Sequence, residues 1–209
     1  MARWLHTAIG RGVMGRGNLL AGVGLGLVLG LAGQSAQALP GQTADEAASW
    51  IQANSALRPA RGERLLVRRV ETPAQRFTFQ ALPLQVGRAA IGFGGSVIRT
   101  EELALFDMVN GITLFRLEES LRSIYGPTVY QDYAEAVKVY AYPTSGVVGR
   151  AINRDTPLLA ATQGEVRQGD RYGYWLEITR RPDGFAYSGR LTVFLREDLP
   201  KLEAELKSR

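Results

Sequence analysis

Cysteine is absent from the 209-residue chain, and its one histidine, His6, lies close to the N-terminus. Beyond residue 38 there is therefore neither thiol nor imidazole. This excludes Ser-His-Asp and Cys-His catalysis, thiolate or imidazole zinc sites, histidine-ligated haem and disulfide bridges from that region. Lysine is scarce as well, with Lys138, Lys201 and Lys207 the only three. Arginine carries most of the positive charge, which suits bidentate recognition of carboxylate or phosphate, although a codon-usage bias produces the same imbalance. No acid precedes Asp45.

What stands in that acid-free stretch is a leader. Arg3, Arg11 and Arg16 precede an uncharged apolar run, and Ala36-Gln37-Ala38 places small residues at −3 and −1 of a cleavage point. This is the layout of a secretory signal peptide. Residues 19–33 contain five glycines and fall short of the roughly 20 residues a membrane-crossing helix needs, so cleavage after Ala38 is expected. The alternative is a retained anchor in which Gly22, Gly26 and Gly30 line one helix face. The arginines are not adjacent, so a twin-arginine signal is not expected. The part from Leu39 onward has 171 residues, enough for one domain, and its net charge is +2. The high overall basicity thus belongs mostly to the leader, and nucleic acid is not an expected partner.

Periodicity orders the remainder. Thr43 and Glu46 are spaced as a capping box opening a short amphipathic helix through Ala47, Trp50 and Ile51. "ERLLVRRVE" and "QRFTFQALPL", joined by "TPA", predict a hairpin, with Pro83 ending or bending its second strand. "AAIGFGGSVIR" predicts a glycine-bent third strand. Its "GFGGS" lacks the Gly-Lys-Ser/Thr of a phosphate loop. "TEELALFDMVNG" is ambiguous between helix and strand. In "TLFRLEESLRSIYGP", Leu114, Leu117, Leu121 and Ile124 mark a helix face, with Glu118 and Arg122 as an outward pair and Gly126-Pro127 as the stop.

Residues 128–143 then alternate as a half-buried strand, and "TSGVVGRAINRDTP" reads as a loop. "GEVRQGDRYGYWLEIT" and "FAYSGRLTVFLRE" flank a Pro182-Asp183-Gly184 turn. One face of the first carries Tyr172, Tyr174, Leu176 and Ile178, and one face of the second Tyr187, Leu191, Val193 and Leu195. "EDLPKLEAELKSR" predicts a closing helix with Pro200 in its first turn. The fold class expected is α+β, an antiparallel β-sheet with helices packed mainly on one face, with possible sub-units 39–100 and 110–209.

The segment "NGITLFRLEESLRSIYGP" followed by tyrosine-rich strands resembles the helix, glycine-proline break and sheet of small envelope-assembly lipoproteins and the α-β-β units of β-lactamase inhibitor proteins, over residues 110–143. The overall layout, with "ALPGQ" at the cleavage point, is similar to secreted proteins of cyanobacterial type. The resemblance implies a non-enzymatic protein that presents a sheet face or edge to another protein. The lipoproteins' acceptor cysteine is missing, so acylation cannot tether this chain.

The expected function is an exported binding or assembly factor of the cell envelope, facing a protein or cell-wall polymer partner. The candidate surface is tyrosine and arginine: Tyr140, Tyr142, Arg171, Tyr172, Tyr174 and Arg190, since both residue types are favoured at interfaces. Ordinary cross-strand aromatic packing accounts for the same tyrosines. No catalytic, cofactor or metal set is singled out. An alternative is a carboxylate-dependent hydrolase of an envelope polymer, which needs two facing acids. Adjacent Glu118 and Glu119 point apart on a helix. A membrane-anchored subunit is the other alternative.

Overall fold

The computed structural model describes residues 40–87, 97–143 and 161–208. The elements run α1 (Ala44–Ala53), β1 (Leu66–Thr72), β2 (Gln75–Leu82), β3 (Thr100–Asp107), α2 (Leu114–Glu135), β4 (Val137–Tyr142), β5 (Thr162–Gln168), β6 (Tyr172–Arg180), β7 (Ala186–Leu195), a 3₁₀ turn (Arg196–Asp198) and α3 (Leu199–Lys207). The seven strands form one sheet, ordered β1-β2-β3-β7-β6-β5-β4. Every neighbouring pair is antiparallel. The fold is α+β. It consists of two helix-plus-meander units, α1-β1-β2-β3 and α2-β4-β5-β6-β7, joined where β3 pairs with β7 from Thr100↔Phe194 to Phe106↔Ser188.

Local chemistry explains most boundaries. The α1 capping box forms as its spacing requires: Glu46 N–H donates to Thr43 Oγ1 and Thr43 N–H donates back to Glu46 Oε2 at 2.8 Å. The β1–β2 turn is Pro73-Ala74, and β2 stops at Leu82, before Pro83. "TEELALFD" is a strand because its even and odd positions face different surroundings, giving the burial alternation of β3. The stretch "GEVRQGDRYGYWLEIT" holds most of β5, a turn and nearly all of β6, with Gly169, Asp170 and Arg171 turning the chain. The glycine-bent strand expected over 89–99 falls mostly outside the described residues. Within them, Val97 makes only an isolated bridge to Thr43.

Gly126 and Pro127 do not end α2. Gly126 breaks it with φ 77° and ψ −174°, and helix then resumes to Glu135. Positive φ suits glycine, and Pro127 can open the second segment because a first-turn residue needs no N–H partner. Residues 128–135, expected as strand, are therefore helical, and β4 begins only at Val137. Asn54, at the end of α1, donates to the carbonyl of Ile124 at 2.9 Å, so the break is tied to the first helix. The outward pair on α2 also differs: Arg122 bonds Glu119 at 2.7 Å, because Glu118 receives the Tyr133 hydroxyl across the break at 2.8 Å.

Alternation along the strands divides the core. On the inner face, α1 and α2 pack Ile51, Leu117, Leu121 and Val129 against Val67, Phe79, Leu103, Tyr174, Leu176, Leu191 and Val193. On the outer face, α3 packs Leu199, Leu202 and Leu206 against Val166, Trp175 and Phe194. Helices thus cover both faces, but on the outer one α3 reaches only β4, β5, β6 and the Phe194 end of β7. Close packing demands glycine beneath α2's first turn. A Cβ on Gly189 would lie 2.5 Å from Ile112 Cγ2. Gly189→Ala is expected to lower stability by about 1–2 kcal/mol in urea unfolding, and an unchanged midpoint would contradict this packing.

Candidate interaction surface

The outer face over β1, β2, β3 and the part of β7 before Phe194 carries no described helix, and a line of polar contacts crosses it towards the covered half. On β2, Gln80 Nε2 donates to Glu102 Oε1 of β3 at 3.2 Å. Arg190 of β7 lies between two acids, with Nη1 3.4 Å from Glu102 Oε2 and Nη2 2.9 Å from Glu177 Oε1 of β6. The Tyr142 hydroxyl of β4 donates to Glu177 Oε2 and accepts from Trp175 Nε1 at 2.8 Å. The Arg190 guanidinium also lies 4.5 Å over the Trp175 ring. Five strands are thereby connected by side chains through one arginine, a geometry that fixes the rotamers of an otherwise flexible charged group. Further out, Arg68 is exposed and Thr78 and Ala104 are half-buried.

Of the expected residues, Tyr140, Tyr142 and Arg190 share this outer face. Tyr140 and Tyr142 are partly taken up by the α3 cluster, with their rings 6.0 Å apart. Tyr172 and Tyr174 point the other way and are buried. Their side chains are core and do not belong to an outward surface, because alternation puts them beside Leu176 on the inner face. The Tyr174 hydroxyl donates to Asp132 Oδ2 at 2.6 Å, and burial, then this acid, raise its pKa. Asp132 Oδ1 also accepts the backbone N–H groups of Asp170 and Arg171, so Arg171 sits in the β5–β6 turn, its guanidinium 5.5 Å over Tyr172. Gln80, Glu102, Trp175 and Glu177 were not singled out from the sequence. Their only signal was outward alternation on strands whose register was unknown.

The two acids that converge here, Glu102 and Glu177, both bond the same guanidinium. A hydrolytic pair works instead as a protonated acid and a separate base or nucleophile across a substrate gap. The sheet edges are also poorly suited to strand addition. β1 is interrupted by an irregularity between Val70 and Thr72 and carries Arg68 and Arg69, and β4 is interrupted between Lys138 and Tyr140. Among the described residues, what no helix covers is the face.

An acid with a strongly raised pKa lies beneath it. Glu101 of β3 points inward, is 0% exposed, and neither carboxylate oxygen has a hydrogen bond of normal geometry. Burial raises its pKa to about 7, with the Tyr125 hydroxyl offsetting only part of the effect. Comparison with known proteins finds no matching family model, curated protein or solved structure, so the functional reading rests on this geometry.

Proposed function

We propose that the chain is an exported, non-enzymatic binding or assembly factor of the cell envelope, and that the outer β1-β2-β3-β7 face docks a protein partner. The observation that carries this reading is a sheet face that no described helix covers, bearing Arg68 and an ordered Gln80–Glu102–Arg190 line. Fixed polar groups beside half-buried apolar ones are the makings of a specific interface. Among the described residues no helix is long and apolar enough to cross a membrane. The leader's arginines, apolar run and Ala36-Gln37-Ala38 support export.

A photo-crosslinking residue at Thr78, introduced in the native cell, is expected to give one discrete protein adduct whose yield falls several-fold in an Arg68→Glu background. The same group at Arg122, on the solvent side of α2, is the control. Equal adducts from both positions, or none from Thr78, would remove the face from consideration. Export has its own measurement, the intact mass of the native protein. A species beginning at Leu39 supports it, and one retaining Met1 or Ala2 in the membrane fraction supports the anchored alternative.

A further inference from the structure

Six large hydrophobic residues are exposed among those described, and four lie at one end of the sheet: Val70 (67%), Met108 (39%), Val109 (64%) and Phe115 (68%). There β1 and β3 end and α2 begins. Backbone bonds from Met108 N–H to the Ala74 carbonyl at 2.9 Å and from Ile112 N–H to Ala186 at 2.7 Å hold the turns together. A single exposed apolar side chain is ordinary, but four at one end of the sheet form a surface.

The turn that carries Met108 and Val109 is rigidly held. Asp107, whose side chain is almost fully buried, accepts from the backbone N–H groups of Val109 at 2.9 Å and Asn110 at 2.8 Å, and from Arg116 Nη1 at 2.7 Å. Gln75 Nε2 and Asn110 Nδ2 complete the set. One carboxylate with five donors therefore keeps two apolar side chains pointing into water.

Beside this tip an open hollow of about 110 Å³ lies between the β1–β2 end and the first turn of α2. Its lining includes Arg69, Arg76, Arg116, Gln75, Phe77 and one acid, Glu71. Arg69 lies 4.1 Å over Phe77 and Arg76 lies 4.2 Å over Phe106. Arg69 donates to the carbonyls of Ala56 and Leu57, and its Nε is buried without an acceptor. Neither Arg69 nor Arg76 has a salt-bridge partner among the described residues. The hollow thus holds more cation than anion, some of it already out of water.

We propose that this end of the sheet docks onto an anionic lipid surface, with Met108, Val109 and Phe115 entering the interface and the arginine-lined hollow taking a phosphate headgroup. Met108 and Val109 share one outward turn and Phe115 lies at the start of α2, a shape that meets a layer rather than fills a pocket. Arginines set just behind them can lay their stems along the apolar zone and keep their charge at the headgroups. The charge excess supplies the preference for anionic over neutral lipid. This surface adjoins the outward sheet face, because Arg76 and Phe106 lie on the same side of β2 and β3 as Thr78 and Ala104, but the label at position 109 and the crosslink at position 78 read the two separately.

The absence of cysteine makes the test direct. The full chain carrying Val109→Cys, labelled with an environment-sensitive NBD group, is titrated with phosphatidylglycerol-containing vesicles. Val137→Cys, at the far end of β4 and 68% exposed, is the matched control. The label at position 109 is expected to shift to the blue and to be quenched by lipid-borne spin labels, while that at 137 stays unchanged. Arg76→Glu should raise the lipid needed by about 25-fold, at about fivefold for each charge near the surface. An unchanged spectrum at 109, equal shifts at both positions, or an equal response to phosphatidylcholine would overturn the proposal. So would binding of inorganic phosphate by a chain whose label at 109 ignores vesicles.

Discussion

Glu101→Gln is expected to abolish a loss of about 3 kcal/mol in folding stability that the native chain undergoes as pH rises from about 4.5 to about 7. The native carboxyl has its pKa raised from 4.5 to about 7, primarily by burial. In the unfolded chain it ionises first, so between those values the unfolded state binds fewer protons and stability falls with pH. Below about 4.5 the acid is neutral in both states and costs nothing through this linkage, whereas above about 7 the full penalty is present. At about 1.4 kcal/mol per pH unit, the gap amounts to about 3 kcal/mol.

The groups around Glu101 offer little to offset this. Tyr125 faces it from α2 and Tyr172 from β6, and its register partners on β2 and β7 are Ala81 and Val193. Urea unfolding at pH 5 and pH 8, followed by tryptophan fluorescence, measures the effect. A native chain as stable at pH 8 as at pH 5, or a glutamine variant with an unchanged pH slope, would show that the carboxyl is not confined as described.

Asp107→Ala is expected to cost about 2–4 kcal/mol at neutral pH and to remove part of the chain's sensitivity to acid. Burial works against the Asp107 carboxylate. The Asn110 N–H, the Arg116 guanidinium, the Val109 N–H and the Asn110 side chain together outweigh it and hold its pKa below the ordinary value of 3.8. The stability it contributes is therefore present above about pH 4 and is lost as pH falls through the depressed native value. Glu165 acts in the same direction, its burial outweighed by Lys138 and Arg167. Hydrogen bonds to a charged acceptor are worth about 1.5–3 kcal/mol each when their partners cannot turn to water. Val109 and Asn110 are exposed, so their freed N–H groups recover part of that, which keeps the expected cost near the lower end of the summed values. Combined with Glu101, the native chain should be most stable near pH 4–5. A variant that unfolds at the native urea midpoint at neutral pH would show that the turn is not held by this acid.

Elements read correctly from residue order were those whose causes are local. The Thr43–Glu46 box, the Pro73-Ala74 turn, the Tyr172 to Ile178 face and the proline-opened last helix each depend on a few neighbouring side chains. Gly126-Pro127 was the instructive failure. The same two residues stop a helix or punctuate one, and here the break is tied to Asn54, 70 positions away, which donates to the Ile124 carbonyl. The tyrosines divided for a related reason. Each strand face could be recognised by alternation, but not which layer of the molecule it would meet. Tyr174 became core with its hydroxyl on Asp132, while Tyr142 joined Glu177 and Trp175 on the other side.

Residue order by itself determined the exclusion of thiol and imidazole chemistry beyond residue 38 and an antiparallel α+β architecture, because each follows from composition or from short-range periodicity. Only the tertiary structure decided that Glu101 is sealed in the core while its neighbour Glu102 bonds Arg190 on the outside. Adjacent residues on a strand point to opposite faces. Whether a carboxylate there meets a guanidinium or a layer of tyrosine and valine depends on which strands lie beside it, and that pairing joins β3 to β7 across some 90 residues of chain.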